Sequence, residues 1–101
     1  MDINAIRRGP RAVVRLTGEL DHHSADQVRT ALDDILRDVT IRELMLDLNS
    51  VSFMDSAGLG VVLGRYRVLS ARGGKLIVTG VRASIDRIFR MSGLYALVER
   101  A

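Results

Sequence analysis

Two runs of strand character, Glu43 to Leu48 and Lys75 to Thr79, enclose one long helical run, Ser56 to Ala71, which Arg72-Gly73-Gly74 then stops. A strand, a helix and a second strand joined this way form a crossover unit, which obliges the two strands to lie parallel in one sheet. The rest of the chain extends the pattern. Met1 to Arg7 reads as an edge strand before a turn at Arg8-Gly9-Pro10, and Ala12 to Thr17 alternates as the next strand. Ser24 opens a helix with Gln27 three residues on, the spacing of a capping box. Its apolar positions Val28, Ala31, Leu32, Ile35, Leu36 and Val39 make one stripe, and Asp26, Arg29, Asp33 and Arg37 face solvent. Ala83 to Met91 is a third helix with Ile85, Ile88 and Phe89 inward and Gly93 placed to end it. A short strand from Leu97 to Arg100 closes the chain. The expected class is α/β: a mixed, mostly parallel sheet of four to five strands, helices packed on it, and an antiparallel amino-terminal edge strand.

At 101 residues and 48% hydrophobic content, the chain is expected to be one domain, 1–101, with a single core. No run has the form of a signal peptide or a membrane span, so the expectation is a cytoplasmic protein with no membrane partner. With no cysteine, thiolate metal sites are excluded. Residues 1–56 carry ten acids and seven bases, and residues 57–101 carry two acids and eight bases. Four aromatics and no basic cluster longer than Arg7-Arg8 argue against direct nucleic-acid binding.

Chemistry concentrates in FMDSAGLGVVLGRY, residues 53–66. Ser56 stands where the chain turns into a helix, at an end that presents unpaired N–H groups and the positive pole of the helix dipole. A nucleophile elbow would need glycine where Met54 stands, with a histidine base, and the only histidines are the adjacent His22 and His23. Asp21 with those histidines makes no convincing metal set, because consecutive side chains diverge. Gly58, Gly60 and Gly64 are one residue too widely spaced for a dinucleotide loop, and no phosphate-loop lysine is present. Catalysis, a metal and a cofactor are therefore not expected. There remain a plain N-cap and a phosphorylation site, and a capping hydroxyl is also a surface hydroxyl.

The same helix reads as two-faced. Leu59, Val62, Leu63, Tyr66 and Leu69 form the stripe expected on the sheet, while Ala57, Val61, Gly64 and Val68, with Gly60 along their flank, point away as a small apolar surface. Three glycines cost about 1 kcal/mol each in a helix, which favours a docking face over simple packing. A phosphate of about −1.5 to −2 charge at its rim would act on binding and spare the fold.

Together with LTGELDHH at 16–23 and RMSGL at 90–94, the FMDSAGLGVVLGRY run resembles the anti-sigma factor antagonists of the STAS domain family, nearest the sporulation type, across essentially the whole chain. The resemblance implies a fold of successive β-α units, and it implies a non-enzymatic switch that is monomeric when free. Its unmodified form would bind an anti-sigma factor serine kinase, with ATP or ADP bound, and release the sigma factor. Phosphorylation would disable it, and a serine phosphatase would restore it. By position Ser56 matches the phosphoacceptor, Asp55 the aspartate beside it, and Glu19, Asp21 and His22 the loop that meets the partner. The same module could serve a general stress response, and a nucleotide-binding domain using the Ser56 helix end is a further alternative. Relatives of the sporulation type usually continue into another helix beyond the position matching Ala101.

Overall fold

A computed structural model describes residues 1–101. Strands β1 (Asp2–Arg8) and β2 (Arg11–Leu20) lead to helix α1 (Ala25–Leu36) and strand β3 (Glu43–Met54). Helix α2 (Ser56–Ala71), strand β4 (Lys75–Thr79), helix α3 (Ala83–Ser92), a 3-10 turn at Leu94–Ala96 and strand β5 (Glu99–Arg100) follow. The strands lie in the order β1-β2-β3-β4-β5, β1 antiparallel to β2 and every later pair parallel. This is the mixed sheet with an antiparallel edge that the alternation predicts. Each crossover steps to the next strand in the same direction, so right-handed connections place all the helices on one face.

Two strands run longer than expected. β2 continues to Leu20, and β3 continues through residues 49–54, where the sequence suggests a loop. The cause is a pair of bulges. Arg15 pairs with Asp47 but Thr17 with Ser50, and Gly18 pairs with Val51 but Glu19 with Phe53, so β3 gains one residue at each shift. Buried positions on β3 therefore fall at Leu44, Leu46, Leu48, Val51 and Met54, and the period of two that marks a strand is lost.

The capping box at Ser24 does not form. Ser24 has helical backbone angles and no cap hydrogen bond. Its buried hydroxyl is committed to the preceding turn, donating to the Glu19 carbonyl at 2.6 Å and accepting from the Asp21 N–H at 3.1 Å. Gln27 donates instead to the Met1 carbonyl. Val39 lies beyond the helix end and is exposed. Gly93 does end α3, in the left-handed conformation (φ 76°) that a C-cap glycine favours.

Packing overturns the two faces assigned to α2. Val61 is buried in the main core at 6% exposure, and Val68 packs against that core, so this stripe does not point away. The buried residues are Gly58, Val61, Val62, Arg65 and Leu69, whereas Leu59, Leu63 and Tyr66 are half-buried. The reason is position: α2 is the middle helix on its face, and α1 covers the flank that carries Val61 and Val68. Arg65 is buried there, its Nε 3.2 Å from Asp33 Oδ1 on α1, with Nε and Nη1 lacking hydrogen-bond partners.

Candidate functional site

Parallel pairing of β2 with β3 brings their carboxyl ends to the same side of the sheet. Leu20 and Met54 are register partners, and the Asp55 N–H donates to the Leu20 carbonyl. The turn after β2 therefore sits against the start of α2, which puts Glu19, Asp21 and His22 beside Asp55 and Ser56.

Asp55 fastens the two. It is the N-cap of α2 with extended backbone, and its Oδ1 accepts from Ala57 N–H at 2.9 Å and Gly58 N–H at 3.1 Å. Its Oδ2 accepts from His22 N–H at 3.0 Å and lies 3.3 Å from His22 Nδ1. One carboxylate thus caps a helix and pins a loop. Burial pushes the Asp55 carboxyl up, but donation from Gly58, His22 and Ala57 outweighs it and holds the group below the ordinary carboxylate range. Asp21 is also held low: burial opposes ionisation, and the His23 and Ser24 N–H groups, both donating to Oδ1, more than offset it. Asp21 thereby orders its turn, while Glu19, His22 and His23 stay exposed.

Because Asp55 caps the helix, Ser56 does not. It is the first helical residue, and it is exposed. The competing role as N-cap thus falls to its neighbour, because the aspartate's extended backbone lets its carboxylate reach the N–H groups two and three residues on.

The three glycines of α2 separate by environment. A Cβ at Gly58 would lie 2.2 Å from the Leu20 carbonyl oxygen, so this glycine permits close packing of helix on strand. At Gly60 and Gly64 an added Cβ would meet nothing within 4 Å. Ser56, Gly60 and Gly64 are spaced by four, so bare helix backbone runs along one face from the serine. Ala57 and Gly64 are half-exposed at its margin. Val61 faces into the fold instead, and Val68 is half-buried against the core.

Sequence reasoning missed the apolar part of this surface. Leu59 and Leu63, assigned to the sheet-facing stripe, line an open hollow of about 100 Å³ with Ser92, Leu94 and Leu97. Leu97 is half-exposed and Phe53, at the end of β3, likewise. Helical spacing places Leu59 and Leu63 with the core, and only the path of the chain after α3 shows that the hollow remains open. Acidic loop, exposed hydroxyl, bare helix and apolar hollow are contiguous along α2.

Residues 2–100 match the sequence pattern of the STAS domain. Over 86 residues the chain is 42% identical to an anti-sigma F factor antagonist of Paenibacillus polymyxa, a match that covers 85% of this chain and 74% of the relative. It superposes on the anti-sigma factor antagonist SpoIIAA in its unphosphorylated form with a TM-score of 0.80 at 28% identity, covering 99% of this chain and 87% of that one. The Bacillus cell fate determinant SpoIIAA in the phosphorylated form gives a TM-score of 0.79 at 32% identity, covering 99% and 91%.

Proposed function

Since this chain belongs to the STAS domain family, we propose that it is an anti-sigma factor antagonist controlled by phosphorylation of Ser56. The unmodified chain binds an anti-sigma factor that is also a serine kinase, and the sigma factor is released. The kinase then transfers a phosphoryl group to Ser56, which ends binding, and a serine phosphatase reverses the modification. It is a cytoplasmic binding switch and not an enzyme. The identity to a sporulation-type relative supports sigma F as the controlled factor.

One observation carries the reading: Ser56 is exposed at the first position of α2 while Asp55 does the capping. Its hydroxyl can be modified without dismantling the helix start. The phosphate gains from the helix dipole and is opposed by Asp55, effects of similar small size. Across a docked partner the balance changes, since a group of about −1.5 to −2 charge must be desolvated against whatever faces it. SpoIIAA supports a fold that tolerates the modification, its unphosphorylated and phosphorylated forms superposing on this chain almost equally well.

The docking face runs from Glu19, Asp21 and His22 across Asp55, Ser56 and Ala57 to Gly60 and Gly64, with Leu59 and Leu63 as its apolar part. Glu19 and Asp21 suit a partner arginine. Val61 supports the helix from beneath, and Val68 lies half-buried at its margin.

Mixing the purified chain with a candidate anti-sigma kinase tests the reading. With ATP, intact mass should show one added phosphate at Ser56; with ADP, size exclusion should show a stable complex. Ser56→Ala should bind and stay unmodified, and Ser56→Asp should fold and bind poorly. Unfolding of Ser56→Asp, or neither complex nor modification with any candidate anti-sigma kinase, would overturn it.

A further inference from the structure

With every helix on one side, the other face of the sheet is uncovered. There the registers align Ile6 with Val13, Val13 with Met45 and Met45 with Ile77, an apolar row across four strands. Ile6 is 55% exposed, and Val13 and Met45 are half-exposed. Ile77 is buried, but it lies outside the core cluster beneath the helices.

Charged residues flank this row on both sides. Arg11, Glu43 and Lys75 align on one side of it, and Arg15 and Asp47 on the other. They pair within the sheet: Arg11 with Glu43 at 3.4 Å, Lys75 with Glu43 at 3.4 Å and with Glu99 at 3.3 Å, and Arg15 with Asp47 at 4.0 Å. The signs divide by strand. On this face β2 carries Arg11, Val13 and Arg15, while β3 carries Glu43, Met45 and Asp47. Arg8, Arg11, Arg15 and Lys75 balance Asp2, Glu43, Asp47 and Glu99, so the patch attracts neither a strongly acidic nor a strongly basic partner.

What this pattern complements is a copy of itself. Consider a second chain related by a two-fold axis parallel to the strands, in the seam between β2 and β3. Each β2 then faces the other chain's β3: Arg11 opposes Glu43, Arg15 opposes Asp47 and Val13 opposes Met45, while Ile6 lies over the register position of Ile77, which its own chain already buries. Such an axis keeps the two sheets aligned, a common mode of sheet-on-sheet packing, and makes the contact isologous. An axis running across the strands instead sets Arg11 over Arg15 and Glu43 over Asp47, so charge selects the first arrangement. One corner opposes it, where Lys75 meets Arg8, and there Glu43 and Glu99 both sit on Lys75 to offset the repulsion. We propose that the uncovered sheet face is a homodimer interface of this geometry. It departs from the monomer expected from the sequence and goes beyond the antagonist reading, needing no anti-sigma factor. Both copies would present α2 and Ser56 outward.

Sedimentation velocity over about a hundredfold range of concentration should show the mass rising from monomer toward dimer. Ile6→Asp, at an exposed edge position, should hold the chain monomeric. Arg15→Asp alone and Asp47→Arg alone should each weaken self-association by at least about tenfold, since each sets like charges across the two-fold. An equimolar mixture of those two variants should recover the dimer, because the reversed charges then face each other and the unaltered Arg15 and Asp47 do too. Circular dichroism verifies folding, and Arg11→Asp with Glu43→Arg supplies the same mixing test on the other charged row. A wild-type chain monomeric throughout, a dimer indifferent to Ile6→Asp, or a mixture no heavier than its separate components would overturn the proposal.

Discussion

The glycines of α2 give a prediction whose sign changes along one helix. Gly60→Ala and Gly64→Ala should each stabilise the fold, and Gly58→Ala should destabilise it. Alanine is favoured over glycine within a helix by about 1 kcal/mol, and at positions 60 and 64 the added methyl meets nothing within 4 Å. Each change should therefore gain about 0.5–1 kcal/mol, and at about 4–8 °C per kcal/mol for a chain of this size the rise in Tm is several degrees. At position 58 the same methyl would lie 2.2 Å from the Leu20 carbonyl oxygen and 2.9 Å from Leu20 Cγ and Met54 Cγ. That carbonyl belongs to β2 and accepts from the Asp55 N–H, so it cannot swing aside and the helix start must lift. Overpacking of this kind costs about 1–3 kcal/mol, more than the propensity gain. Urea and thermal unfolding followed by far-ultraviolet circular dichroism would measure all three. A Gly58→Ala chain as stable as wild type, or destabilisation at Gly60 and Gly64, would refute the reasoning. The stabilised Gly60→Ala/Gly64→Ala chain should also bind its anti-sigma factor more weakly, since two methyls then stand on the bare strip beside Ser56.

Three further outcomes follow from charged and polar groups. Arg65→Met should leave stability unchanged or raise it by about 1 kcal/mol in urea unfolding, because a buried guanidinium that is ion-paired to Asp33 but leaves Nε and Nη1 without hydrogen bonds gives way to an apolar chain of similar length, whereas Asp33→Ala should lower it. Asp55 titrates below its unfolded value, so its stabilisation is complete above the ordinary carboxylate range and lost as pH falls through the folded pKa; urea midpoints on acidification should fall less steeply for Asp55→Ala than for wild type. Burial, then donation to Asp86 at 2.6 Å, pushes the Tyr95 phenol up to about 12. Its contribution is therefore present below about 10 and lost as pH rises toward 12; Tyr95→Phe should remove that alkaline loss, and ultraviolet titration should show one tyrosine ionising late.

The strand and helix order was legible because α3 keeps a clean helical period, α2 and β4 are apolar runs bounded by glycine, and β1 is separated by Gly9-Pro10. The extension of β3 was hidden because bulges break alternation, and periodicity cannot distinguish a bulged strand from a loop. At the site, Ser56, Asp55 and the Glu19–His22 turn were joined by the family resemblance, and the parallel ends of β2 and β3 supply the physical reason. Which face of α2 is free could not. That helix is apolar nearly all round, and the burial of Val61 depends on α1 lying against it. Capping was misassigned at α1 and left open at α2. Serine is a good cap by type, but Ser24 is already bonded within its turn, and at α2 the preceding aspartate has the extended backbone that capping needs.

The unbroken β1-β2-β3-β4-β5 order also shapes how the chain acquires its structure. No strand waits for a distant partner, since each pairs with the one before it in sequence. The sheet can grow by accretion from the β2–β3 pair outward, in the direction in which a ribosome delivers the chain, each parallel pairing closing a single helix-containing crossover. Accretion ends at β5, which is held to β4 by two register pairs only. Hydrogen exchange should be fastest at that margin and slowest at Leu44 to Leu48, a gradient of local opening that follows chain order.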